Sequence, residues 1–128
     1  MKKILLLLFL LPQLANATVK VSNIVTRQSI LDNRPITAYF TLENTGNEID
    51  YLLEVKIENY PSALVTLHKT VIEKGVARII KLDRLGIPSK IKFDSNKLRI
   101  YLVIEGNYLE SENIKINFTF SNYISKIR

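Results

Sequence analysis

Thr37-Ala38-Tyr39-Phe40-Thr41-Leu42-Glu43-Asn44, followed at once by Thr45-Gly46-Asn47, is the stretch that decides the fold. In an extended chain Ala38, Phe40 and Leu42 point one way and Tyr39, Thr41 and Glu43 the other. Alternation with a period of two predicts a strand with one buried face. The Asn-Thr-Gly-Asn run that follows has the composition of a turn. The same texture continues in both directions. Tyr51–Glu58 sets Leu53, Val55 and Ile57 against Glu54, Lys56 and Glu58. Asn59-Tyr60-Pro61-Ser62 breaks the chain before a strand over Ala63–Lys69, which carries His68. Glu73-Lys74-Gly75 reads as a hairpin turn into Val76–Leu82. Gly86-Ile87-Pro88-Ser89 reads as a loop, Lys90–Phe93 as a short strand and Asp94–Lys97 as a turn. Leu98–Ile104 is strongly apolar, and Ile114, Ile116, Phe118 and Phe120 alternate with polar neighbours. Val19–Arg27 supplies a first strand, and the tail Asn122–Arg128 is expected to fray. No segment carries an apolar stripe of helical period. About seven or eight short strands at this spacing predict an all-β fold, an antiparallel Greek-key β-sandwich. Its expected core is Phe40, Leu42, Leu53, Val55, Ile57, Ile100, Leu102, Ile116 and Phe118.

Upstream of this pattern the character changes. Lys2 and Lys3 precede the apolar block Ile4–Leu11, Pro12 breaks it, and Ala15-Asn16-Ala17 has the small-x-small form of a cleavage site. This is the pattern of a secretory signal peptide, residues 1–17, with cleavage after Ala17 and an exported domain over 18–128. The apolar block falls well short of the roughly 20 residues that span a bilayer. Export to the periplasm or beyond, with no stable membrane anchor after cleavage, is the expected localisation. The whole chain has 128 residues, 18 Lys+Arg against 12 Asp+Glu, one His and no Cys. A domain of this size holds itself together by its core without disulfides. The charges are interspersed in sign, as on an ordinary solvated surface, and export argues against nucleic acid as a partner.

Few residues offer catalysis. A Ser–His pair would need His68, and no nucleophile elbow surrounds any Ser. Glu110 and Glu112 are paired carboxylates that read as a solvated edge. There is no phosphate-binding glycine loop, and the chain is not expected to be an enzyme. Asn117-Phe118-Thr119 fits the N-glycosylation acceptor pattern, which matters only in a host that glycosylates.

Larger segments carry a resemblance. Pro35–Gly46 forms a strand ending in an Asn-x-Gly turn, and Asp50-Tyr51-Leu52 an Asp-x-Leu segment. Ala63-Leu64-Val65-Thr66-Leu67-His68 is a strand delivering a histidine, and Lys74-Gly75-Val76 a Gly-Val turn. With Phe93–Ile104 and the closing strand Ile114–Phe120, this order resembles the periplasmic copper chaperone family PCu(A)C, from Val19 to Ser121. The resemblance implies a cupredoxin-like β-sandwich, copper as cargo, and copper handling towards cytochrome oxidase assembly. The family's metal pattern is His, then Met eleven positions on, then His-x-Met. His68 holds the first position. The resemblance places Ile79 at the second and Arg99 and Tyr101 at the last pair, so only His68 is retained.

The substitutions change the chemistry. Cu(I) prefers soft thioether or thiolate sulfur. The only Met is Met1, and the chain after Ala17 contains no sulfur. Arg99 sets a permanent cation where a metal cation would sit. The new amino terminus, Thr18-Val19-Lys20, has no His at its third position to chelate Cu(II). Two copies of His68 in a homodimer would offer only a weak, unselective site. Two functions follow. One is a copper-handling accessory protein with a degenerate site. The other is a non-metal binding or structural module on the same scaffold, serving a periplasmic protein or a small anion at His68, Ile79, Arg99 and Tyr101. The resemblance further implies that these four residues meet at one end of the sandwich.

Overall fold

The computed structural model describes residues 18–28, 35–106, 114–121 and 124–127. The leader 1–17 and the Glu110/Glu112 pair lie outside them. The described residues form ten strands: β1 (Val19–Gln28), β2 (Ile36–Asn44), β3 (Asp50–Ile57), β4 (Leu64–Glu73), β5 (Val76–Leu82), β6 (Leu85–Ile87), β7 (Lys92–Asp94), β8 (Ile100–Glu105), β9 (Ile116–Phe120) and β10 (Ile124–Ile127). One sheet runs β1-β2-β8-β4-β5, with β7 also on β2; the other runs β10-β9-β3-β6. Every pairing is antiparallel. The chain changes sheet after β2, β3, β5, β6 and β8, so that β8 comes to lie between β2 and β4. This is the expected Greek-key β-sandwich.

The stretch Thr37–Asn44 sits at its centre. β2 pairs with β1 along one edge, and with β8 and then β7 along the other. Its inward residues Ile36, Ala38, Phe40 and Leu42 are buried. They meet Ile116, Phe118 and Phe120 of the opposite sheet, and the Phe40 and Phe118 rings touch edge to face at 5.7 Å. Aromatic and β-branched side chains fill such a two-sheet interior well.

Buried polar groups fix how the strands join. Ser95 is fully buried; its Oγ accepts the Phe40 N–H at 2.9 Å and its own N–H is donated to the Phe40 carbonyl at 2.8 Å. Asn44 donates to the Glu48 and Ile87 carbonyls and accepts from Gly46 N–H, which closes the turn after β2. Asp50, also buried, accepts from Thr18, from Tyr51 N–H and from Ser121. The β4–β5 turn uses Lys74 and Gly75 at φ 52 and 80. Positive φ at both turn residues matches the twist of a tight hairpin.

Several expectations are corrected. Leu53 is exposed and Val55 only half-buried, while Leu52 is buried. The β3–β9 register shifts between Leu52 and Glu54, so an extra residue in β3 switches which parity faces inward. Leu85–Ile87 is a short strand on β3 rather than loop. Ile124–Ile127, expected to fray, pairs with β9, whose edge the chain covers by doubling straight back. Leu98 and Arg99 belong to the turn before β8, and Arg99 takes φ 58. That turn is closed by Leu98 N–H and Ile100 N–H donating to the Ser95 carbonyl.

Candidate functional site

The outer face of the larger sheet carries the residues singled out in sequence. Leu67 and Leu102 point inward, so their neighbours His68 and Tyr101 point out, and the register sets these two directly opposite each other. On its other side His68 faces Lys81 of β5. One step along, Thr70 faces Ile79, and Thr70 N–H donates to the Arg99 carbonyl at 2.9 Å. The chain thus brings positions 68, 79, 99 and 101 together. They meet on the outer face where β8 begins, not on the rim between the sheets. The left-handed turn at Arg99 means that strand alternation does not fix its side-chain direction.

His68 is engaged on two sides. Its Nε2 shares a 2.7 Å hydrogen bond with Thr66 Oγ1, and its ring lies nearly parallel to Tyr101, at 5.8 Å and 19°. Tyr101 meets Tyr39 of β2 at 6.1 Å, and the Arg27 guanidinium of β1 lies 5.6 Å from the Tyr39 ring. A row Arg27, Tyr39, Tyr101, His68, Lys81 therefore crosses five strands. A hollow of about 250 Å³ beside it is lined by Arg27, Tyr39, Thr41, Asp94 and Asn96, among others. Arg27, Tyr39, Thr66 and Lys81 were not singled out in sequence. Tyr39 was legible as an outward residue of the deciding stretch, but its proximity to Tyr101 depends on β2 pairing with β8.

The donor set does not fit copper. Around His68 stand a hydroxyl, a phenol, an amine and an aliphatic side chain. Cu(I) takes soft sulfur or several imidazoles. Among the described residues no group of three or more His, Cys, Asp or Glu side chains sits close enough to hold a metal ion. The face instead offers hydrogen-bond donors and fixed positive charge. The glycosylation pattern is not a surface loop either: Asn117 lies inside β9, with its Oδ1 buried.

No family model matches the chain, and no curated relative matches it in sequence. Solved structures do. The copper-bound PCuAC domain from PmoF2 aligns over 88% of this chain and 91% of its own, with a TM-score of 0.66 at 14% identity. The fold is that of a PCuAC domain. The apo PCuAC domain from PmoF1 aligns over 87% of this chain and 90% of its own, with a TM-score of 0.63 at 19% identity. The apo PmoF2 PCuAC domain gives 0.66 at 14% over 88% of each chain. The PCuAC likeness extends over nearly the whole described chain, while identity this low speaks to architecture alone.

Proposed function

We propose that this chain is an exported, non-enzymatic binding module of PCuAC fold, whose outer face at His68 recognises a carboxylate or phosphate group of a periplasmic partner rather than carrying Cu(I) alone. The observation that carries this reading is the set of side chains gathered around the one histidine. Ile79 and Tyr101 replace sulfur with groups that do not bind soft metals. Tyr101 and Thr66 bring hydroxyls, and Lys81 and Arg27 bring permanent charge. Charge-assisted hydrogen bonds from such groups suit oxyanions. Export rests on the leader pattern of residues 1–17.

A second reading is copper handling in which another protein supplies most of the ligands, towards cytochrome oxidase assembly as the family resemblance implies. It is favoured by the likeness to a copper-bound PCuAC domain and by His68, the one retained ligand type. Anaerobic titration of residues 18–128 with Cu(I) against a competing chelator, alongside an NMR titration with inorganic phosphate, separates the two. The binding-module reading expects no stoichiometric Cu(I) complex and phosphate shifts centred on His68 and Tyr101. A one-to-one Cu(I) complex tighter than about 1 μM would overturn it.

A further inference from the structure

A different part of the molecule carries the further inference, the ribbon formed by β4 and β5. β8 begins at Ile100, opposite Lys69, so beyond Thr70 the two strands have only each other. Both faces of the ribbon are open: Ile72 is 50% exposed, Val76 65%, Ile79 64% and Ile80 37%. A two-stranded ribbon with aliphatic side chains on both faces is marginal in water. β5 also ends its sheet.

The hydrogen-bond geometry shows which groups the edge offers. In an antiparallel ladder one residue's N–H and C=O turn to the same side. Thr70 gives its N–H to Arg99, so its backbone groups face β8. Its cross-strand partner Ile79 therefore turns its own N–H and C=O outward, and alternation does the same for Ala77 and Lys81. Natural edges are blunted by proline, bulges, shortness or charged side chains, and β5 has only the last of these, in Arg78 and Lys81. β5 is seven residues long, contains no Pro, and pairs with β4 without a register shift.

Charge selects the occupant. Between Lys69 and Leu82 the ribbon carries Lys69, Lys74, Arg78 and Lys81 against Glu73 alone, which pairs with Arg78 at 2.8 Å. A second copy is a poor fit. Antiparallel self-pairing centred on Ile79 puts Arg78 diagonal to its own copy. Moving the centre to Arg78 sets Arg78 directly against its own copy, and moving it to Ile80 sets Lys81 diagonal to its own copy, and such like-charge pairs are destabilising. A lipid surface fits less well too, because the aliphatic residues run along both faces while Glu73 and Lys74 occupy the tip. We propose that the open edge of β5 is a docking strand for an extended acidic segment of a partner protein, which adds alongside Val76–Leu82 through the backbone of Ala77, Ile79 and Lys81. Main-chain bonds would give affinity, and acidic side chains opposite Arg78 and Lys81 specificity.

This inference shares Ile79 and Lys81 with the His68 face but not His68, Tyr101, Tyr39 or Arg27, and the Tyr101 variant below keeps the two apart. The probe is a labelled octapeptide of valines with glutamate at every third position, to match the three-residue spacing of Arg78 and Lys81 on opposite faces, with lysine in place of glutamate as control, read by fluorescence anisotropy against residues 18–128. The acidic peptide is expected to bind and the basic one not. Ile79→Pro removes an outward N–H without breaking the β4–β5 ladder, and should weaken binding at least tenfold with the circular dichroism spectrum retained. Arg78→Glu with Lys81→Glu should reverse the preference, a readout that stands if the proline variant misfolds. Tyr101→Phe should leave the peptide affinity unchanged. Absence of peptide binding, binding insensitive to both sets of changes, preferential binding to phosphatidylglycerol vesicles, or a dimer that excludes the peptide would each overturn the proposal.

Discussion

At the scale of single residues, the deciding side chains are polar groups in apolar surroundings. Ser95 has no accessible surface, and its hydroxyl oxygen is the partner of the Phe40 N–H in the centre of β2. Truncation to alanine leaves that donor buried and unpaired, which costs about 1–3 kcal/mol. Ser95→Ala should therefore lower the unfolding free energy by that amount, read as a lower urea midpoint at unchanged m-value, whereas a loss below about 0.5 kcal/mol would show that water or a shifted backbone takes over the bond. Nothing in the run Asp94-Ser95-Asn96 distinguishes this serine from an ordinary turn residue. Its role exists only because β7 folds onto β2. Asn44 was more legible, since an Asn two residues before Gly46 has the form of a side-chain-capped turn.

At the scale of strands, the alternation of Thr37–Asn44 gave the face, the parity and the extent of β2 directly, because a single period runs through it unbroken. Tyr51–Glu58 misled for a physical reason: one extra residue near Leu53 reverses the parity halfway, and the sequence on either side alternates equally well. Positions 68, 79, 99 and 101 were read as neighbours through a family resemblance, and the register of β4 with β5 and β8 does bring them together. The turn at Arg99 was not legible, since a non-glycine residue at positive φ leaves little trace in composition. This convergence yields a gain-of-function test. Ile79→Met with Arg99→His and Tyr101→Met puts three soft or borderline ligands around His68, and this variant should bind one Cu(I) that the parent does not. Failure of a folded triple variant to bind would mean that the left-handed turn at position 99 points its side chain away from the other three.

At the scale of the whole molecule, stability and cargo are separable. The core runs from Val19 to Phe120 through both sheets, holds no cysteine, and is closed by apolar packing and the buried Ser95, Asn44 and Asp50 bonds. Such a core is expected to fold without metal. A ligand that binds only the folded state stabilises it by about 2.7 kcal/mol at a hundredfold excess over its Kd. In a domain of this size that raises Tm by several degrees, since about 1 kcal/mol moves it by roughly 2–8 °C. The parent chain, residues 18–128, is expected to show the same Tm in anaerobic Cu(I) and in excess chelator by differential scanning calorimetry. The triple variant, if it folds, should show a Cu(I)-dependent rise. A rise of that size in the parent would place a working copper site on a sulfur-free sandwich, with ligands other than the four positions gathered at His68. Equal transitions for both proteins, with the variant folded, would instead confine the PCuAC likeness to the scaffold.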